Sequence, residues 1–254
     1  MNIESTELQN STETAIGFIP CYRLPFLSLF HADCMEIMKQ YPDKYFDLAI
    51  VDPPYGIGYD GAKQSSGSHG GRKAHDFKGW DTNIPTEDYF KELYRVSKNQ
   101  IIWGANYMVE YLKPSMGWII WRKDRGNFSS SDAELAYTSF NRALREYTKN
   151  PLVLVREGGT FHPTQKPICL YDWILKNYAK PNQKLLDTHF GSGSIALAVD
   201  KANRLDKMNL HLTACEIDKE YNDKAIKRIS ESIKQGTLPF KVADNIVFTN
   251  ILIK

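Results

Sequence analysis

Phe46-Asp47-Leu48-Ala49-Ile50-Val51 runs directly into Asp52-Pro53-Pro54-Tyr55-Gly56. Leu48 to Val51 reads as a short buried strand, apolar and rich in β-branched residues. A carboxylate at the end of such a strand, then two prolines, then an aromatic ring, is an unusual arrangement for packing alone. The prolines fix φ and remove two N–H donors, leaving carbonyls free to accept from another group. An acceptor carboxylate, a free carbonyl and a flat ring together suit a planar group that carries an –NH₂, such as a nucleobase. On this stretch alone, a proline-rich turn with a surface tyrosine is an equally good reading.

A second stretch shifts the balance. Leu185-Leu186-Asp187 leads into Thr188-His189-Phe190-Gly191-Ser192-Gly193-Ser194 and then Ile195-Ala196-Leu197-Ala198-Val199. The order is strand, glycine turn, helix. Glycines let a backbone approach a ligand closely, and a helix N-terminus offers N–H groups that lack helical partners. Glu216 closes the following apolar run, His211 to Cys215. An acid at the end of the next strand suits the diol of a ribose. Gly-Ser-Gly by itself is an ordinary helix entry. The whole series points to an adenosine-type cofactor.

Composition bounds the rest. The 254 residues, 42% hydrophobic, suffice for one sizeable α/β domain. A formal charge of +2 gives no strong global field toward nucleic acid, so a basic surface has to be local. Cys21, Cys34, Cys169 and Cys215 lack metal-ligand spacing and are expected as buried free thiols in a reducing compartment. No apolar stretch reaches the roughly 20 residues of a membrane span. The polar N-terminus carries no signal-peptide core and is expected to be a flexible tail over 1–15.

Along the chain, strands and helices alternate. Strands are expected at 26–30, 48–51, 100–104, 117–122, 134–140, 181–187 and 211–216. The segments 117–122 and 134–140 are expected to pair antiparallel. Helices are expected at 34–40, 86–97 (with Thr86 as cap), 106–112, 168–178, 194 onward and 218–233. Two stretches stand apart as basic, DNA-facing candidates, 56–80 and 122–150. The first is rich in Gly and Ser and carries Lys63, His69, Arg72, Lys73, His75 and Lys78. The second carries Arg122, Lys123, Arg125, Asn127, Arg142, Arg145 and Lys149. The pattern reads as a single doubly wound α/β domain with a mostly parallel sheet. Ligands of such sheets lie beyond the carboxyl ends of the strands, where Asp33, Asp52, Asp187 and Glu216 would line one crevice.

With these residues in hand, a resemblance emerges. Asp52-Pro53-Pro54-Tyr55-Gly56 and Asp187 to Ser194, with His162-Pro163-Thr164-Gln165-Lys166-Pro167 between them, resemble the amino-DNA methyltransferases. The target-base motif precedes the cofactor motif, which is similar to the β-type, circularly permuted arrangement. The resemblance covers roughly residues 26 to 231. It implies a Rossmann-like S-adenosylmethionine-dependent methyltransferase fold. It further implies that Asp52 and the Pro53 carbonyl accept from the target amine, with Pro54 shaping the turn and Tyr55 stacking on the base. Asp187, His189, Phe190, Gly191, Ser192, Gly193 and Ser194 would surround the cofactor. Glu216 would hold its ribose, with Ile217 beside it, and Asp33 its adenine amine. Thr164 and Lys166 would be further cofactor contacts. One departure stands out. Where the family has Pro-Phe after the aspartate, this chain has Thr188-His189, with Phe190 one place later.

The same resemblance implies a site-specific methyl transfer to adenine N6 in double-stranded DNA, after the base is flipped out. S-adenosylhomocysteine is the implied product, and no metal is expected. An aspartate at the head of the motif favours adenine, whereas serine would favour N4 of cytosine. Transfer to RNA or a protein amide, and a non-catalytic DNA-binding module, are the competing readings. The location implied is the cytoplasm of a bacterial cell or phage-infected host, with restriction-modification as the setting and a homodimer as one candidate assembly.

Overall fold

The computed structural model describes residues 18–60, 78–124, 131–157 and 159–237. The expected tail 1–15, the stretch from Lys63 to Asp76, and Arg125 and Asn127 lie outside them. In order, the elements are β1 (Tyr22–Leu24), β2 (Leu27–His31), α1 (Cys34–Lys39), β3 (Phe46–Val51), α2 (Glu87–Val96), β4 (Ser97–Trp103) and β5 (Trp118–Arg122). They continue with β6 (Ala133–Thr138), β7 (Arg145–Thr148), α3 (Val153–Arg156), α4 (Ile168–Tyr178), β8 (Lys184–Asp187), α5 (Ser194–Asp206), β9 (His211–Glu216) and α6 (Lys219–Thr237).

The nine strands among the described residues form one sheet in the order β1-β2-β9-β8-β3-β4-β6-β5-β7. β2, β9, β8, β3 and β4 run parallel. β6 is antiparallel to both β4 and β5, and β1 is antiparallel to β2. The period-2 alternation of strand side chains divides the core in two. Leu48, Ile50, Ile101, Leu185 and Leu29 face α4, α5 and α6 through Leu170, Ile174, Ile195 and Ile229. Ala49, Val51, Ile102, Leu186 and Phe30 face α1 and α2 through Ile37, Met38, Phe90 and Leu93. Helices therefore cover both faces, and the doubly wound Rossmann-like α/β architecture is present.

Several expectations need correction. Asn106 to Leu112 is not one helix but two 3₁₀ turns, Ala105–Tyr107 and Val109–Tyr111, entered through Gly104 at φ +66°. Thr86 adopts the extended cap backbone, yet its side chain makes no capping hydrogen bond. β1 and β7 were not anticipated. Both are short edge strands whose residues are mostly half-buried or exposed, so they carry no apolar alternation. The cysteines are free, but only Cys215 is buried and Cys21 is exposed. Among the described residues no helix is long and apolar enough to cross a membrane.

β3 holds the position that matters for the site. It lies between β8 on one side and β4 on the other. After β3 the chain moves outward to β4, and after β8 it moves the opposite way to β9. That divergence is the topological switch point, where the helices leave a crevice beyond the carboxyl ends of the strands.

Candidate active site at the sheet's carboxyl edge

All four acids singled out in the sequence stand at this edge. Asp33 follows β2 and caps α1, accepting from Met35 N at 2.7 Å. Asp52 follows β3, and Asp187 and Glu216 are the last residues of β8 and β9. His31 and Glu216 are register partners on neighbouring strands, which sets Asp33 close to Glu216.

A cavity of about 120 Å³ opens at the β2–β9 side, lined by Asp33, Cys34, Thr188, His189, Glu216 and Ile217 among others. Glu216 is buried, and its two carboxylate oxygens accept from Gly191 N at 2.7 Å and Asp218 N at 2.9 Å. The carboxylate thus ties the glycine turn to the start of α6. His189 points its ring into the same cavity. Its Nδ1 lies 2.9 Å from Thr188 Oγ1, which lies 2.7 Å from the Tyr89 hydroxyl. Burial pushes the His189 pKa down to about 4, so the ring is neutral near pH 7. Burial likewise pushes the Cys34 thiol up to about 12, which leaves no thiolate at the cavity.

Asp187 is fully enclosed. Burial drives its carboxyl up to about 8, opposed by the hydrogen bond from His189 N at 3.0 Å. The neighbouring charges of Asp52 and Glu216 raise it further. A carboxyl so enclosed stays protonated near neutral pH unless a cation comes beside it.

The rest of the glycine turn departs from the expected contacts. Phe190 packs into the core at 4% exposure, away from the cavity; the aromatic slot is taken by His189 instead. A Cβ on Gly193, which sits at φ +70°, would come within 3.2 Å of the Phe190 ring. The Ser192 carbonyl and Ser194 hydroxyl turn to Arg228 of α6, at 3.0 and 2.9 Å. Thr164 Oγ1 meets His162 Nδ1 at 3.2 Å, and the His162 ring faces Gly191 and lies between Trp80 and Tyr221. Thr164 therefore reaches the turn only through His162.

Lys166 lies elsewhere again. Its ammonium is buried on the β3 side, 2.5 Å from Asp52 Oδ2, 3.1 Å from the Tyr55 hydroxyl and 3.2 Å from Glu134 Oε2. The structure brings it to Asp52, not to the cavity lining. Lys123 is also buried, and pairs with Glu134 at 2.7 Å, which removes it from the set of solvent-facing DNA contacts. Lys78 pairs with Asp218 and Glu220 and lies over the Tyr221 ring.

Tyr55 donates its hydroxyl to Asp52 Oδ1 at 2.6 Å. The turn that carries it is pinned by Asp81, which sequence reading missed. The buried Asp81 carboxylate accepts from Tyr55 N, Gly56 N and Tyr59 N at 2.6 to 2.9 Å. Three converging N–H groups on one anion fix a backbone that its two prolines leave poor in donors. Tyr107 stacks on Tyr55 with ring centroids 5.4 Å apart. Gly104 supplies the floor: a Cβ there would stand 2.1 Å from the Tyr55 ring. Trp80-Asp81, directly after a Gly/Ser-rich stretch, and a glycine directly after a strand were the available signals.

Gly104 yields a test independent of function. Gly104→Ala should destabilise through both the left-handed φ and the ring clash. In a Tyr55→Ala background the clash vanishes and only the backbone cost of about 1 kcal/mol should remain. Urea unfolding of the four proteins of this cycle reads the difference; equal costs in both backgrounds would contradict the close packing.

Comparison with known proteins agrees with this geometry. Residues 136–227 match the family model described as DNA methylase. The Type II methyltransferase M.HinfI of Haemophilus influenzae is 25% identical over 253 residues, an alignment covering 80% of this chain and 68% of that protein. The crystal structure of the M1.HpyAVI–SAM complex superposes with a TM-score of 0.51 at 21% identity, covering 80% of this chain and 98% of the other. PvuII DNA methyltransferase (cytosine-N4-specific) gives 0.55 at 13% identity, covering 87% and 94%. These two structural likenesses show the shared fold. The family match over residues 136–227 and the likeness to M.HinfI stand beside the motif order, and over that part the chain is similar to the DNA methylases.

Proposed function

We propose that this protein transfers a methyl group from S-adenosylmethionine to the exocyclic N6 of a flipped adenine in double-stranded DNA. The observation that carries the reading is the placement of Asp52 and Tyr55 at the end of β3, beside the buried Asp187 that ends β8 and the cavity that His189, Glu216 and Asp33 line at the ends of β8, β9 and β2. M.HinfI, by its name a Type II methyltransferase, supports the assignment to DNA.

The cavity chemistry fits the cofactor. Glu216 and Asp33 offer carboxylates to a ribose diol and an adenine amine. Ile217 is 67% exposed at the rim and offers an apolar surface to a base. Asp187 offers a buried carboxyl that a cationic methionine end would ionise. S-adenosylmethionine, when bound, supplies an already activated methyl group.

The chain's own residues then do the rest. The lone pair of an exocyclic amine is delocalised into its ring and is a poor nucleophile. Asp52 and the Pro53 carbonyl accept the two amine hydrogens, which draws the nitrogen toward tetrahedral geometry and restores the lone pair. Each Asp52 oxygen keeps a second lone pair after accepting from Tyr55 or Lys166, so both remain available. As the N–C bond forms and the S–C bond breaks, positive charge grows on the nitrogen beside the Asp52 carboxylate. The surplus proton leaves the nitrogen toward that carboxylate. The Tyr55 ring, backed by Gly104 and Tyr107, is the stacking surface for the base. The basic stretches 56–80 and 122–150 are the proposed duplex contacts, with Lys123 excepted.

Tritiated cofactor with unmethylated bacterial DNA, digested to nucleosides, tests the reading. Label is expected in N6-methyladenine. Label confined to N4-methylcytosine would overturn the base assignment, and absence of transfer to DNA would overturn the substrate. Asp52→Ala should reduce transfer at least about a thousandfold while cofactor affinity stays within a few-fold. Cofactor binding should also respond to pH. The empty protein holds a proton on Asp187, which ionises near pH 8, and a cationic ligand expels it. Affinity should therefore rise from about pH 6 to about pH 8 and level off above. Calorimetry giving the same affinity across that window would contradict the assignment of Asp187.

A further inference from the structure

The Lys166 cluster is not explained by cofactor binding. Its ammonium has three hydrogens and three acceptors: Asp52 Oδ2 at 2.5 Å, the Tyr55 hydroxyl at 3.1 Å and Glu134 Oε2 at 3.2 Å. The side chain is 3% exposed and lies 5.1 Å from the centroid of the Trp103 ring. Glu134, on β6, is gripped from the other side by Lys123 at 2.7 Å. The result is a buried chain of alternating charge, Lys123–Glu134–Lys166–Asp52, that crosses the antiparallel half of the sheet and ends on the carboxylate at the base pocket. A lysine buried this deeply is retained only with full pairing. Here the pairing is complete, and two of the three acceptors, Asp52 and Tyr55, belong to the turn after β3.

We propose that Lys166, anchored by Glu134, is the positioning residue for Asp52: it favours the charged form of the carboxylate and turns it toward the target-base pocket. This rests on the reading of Asp52 as the acceptor of the target amine. The need is physical. Asp52 ends a buried strand, and burial disfavours its charge. Four further groups face it: Glu134, Asp187 on β8, and the hydroxyls of Tyr55 and Tyr171. Glu134 and Asp187 are acids, and Lys166 is the cation that opposes them. A protonated Asp52 would keep only part of its acceptor capacity and could not take up the amine's surplus proton. Glu134, held down to about 2 against its burial chiefly by Lys166 and then Lys123, stays charged through the working range and so keeps Lys166 in place.

Two measurements on the full chain test this. In the free protein, the carboxyl carbon signal of Asp52, identified by its loss in Asp52→Asn, is followed by NMR over pH. In Lys166→Gln its midpoint should move up by about one pH unit or more. In Glu134→Gln, which deletes an acid but keeps an acceptor, it should move down. Lys166→Arg should stay near the wild type. An unmoved midpoint in Lys166→Gln overturns the proposal, as does a more than tenfold loss of S-adenosylmethionine affinity with the midpoint unchanged, which would make Lys166 a cofactor contact. Should Lys166→Gln fail to fold, the Glu134→Gln midpoint decides by its direction. Single-turnover transfer to DNA is then measured over pH with the same variants, and the acid limb should follow the NMR shifts. Shifted midpoints without a shifted limb would leave the coupling standing and instead sink Asp52 as the group that governs transfer.

Discussion

The parallel pairing of β3 with β8 is the constraint on which the rest of this molecule depends. Leu48 and Ala49 register with Leu185 and Leu186, and both strands end within a residue of a carboxylate. The chain leaves β3 toward β4 and leaves β8 toward β9, so no helix can close over the gap at their ends. Two half-sites meet at that gap. The β8–β9 side carries the glycine turn, tied to Glu216 by the Gly191 N–H. The β3 side carries the Asp52 turn, tied to Asp81 by three backbone N–H groups. In each half a buried acid organises backbone donors, and the candidate site is built on the resulting turns.

Much of this was legible in the sequence for a definite reason. β3, β8 and β9 are buried on both faces and so read as continuous apolar runs, and each run stops at an acid. The helix from Ser194 announces itself through two glycines. What remained illegible was non-local or on an edge. Glu134 and Lys166 are separated along the chain and share no local pattern, so their joint grip on Asp52 could not be read. Lys166 sits in a segment whose neighbour Thr164 does approach the glycine turn through His162, which made a shared role natural to expect. The side chain points to the β3 side instead, where it pairs with two part-buried acids, Asp52 and Glu134.

Thr188-His189-Phe190 shows how packing settles an ambiguity that spacing leaves open. Two aromatic side chains compete for one place in the cavity wall. Phe190 has no polar atom to satisfy and goes to the core beneath Gly193. His189 finds Thr188 for its ring Nδ1, with Tyr89 bonded to Thr188 in turn, and lines the cavity as a neutral ring. A flat, uncharged ring, His189, thus stands in the cavity wall, and Phe190 stands in the core.

A crystal structure with S-adenosylhomocysteine and a short duplex holding the target base tests the central claim most directly. The account predicts the ribose at Glu216, the sulfur between Asp187 and Asp52, and the flipped base with its amine on Asp52 and its ring on Tyr55. A cofactor seated away from the β8–β9 edge, or a base amine with no contact to Asp52, would contradict it.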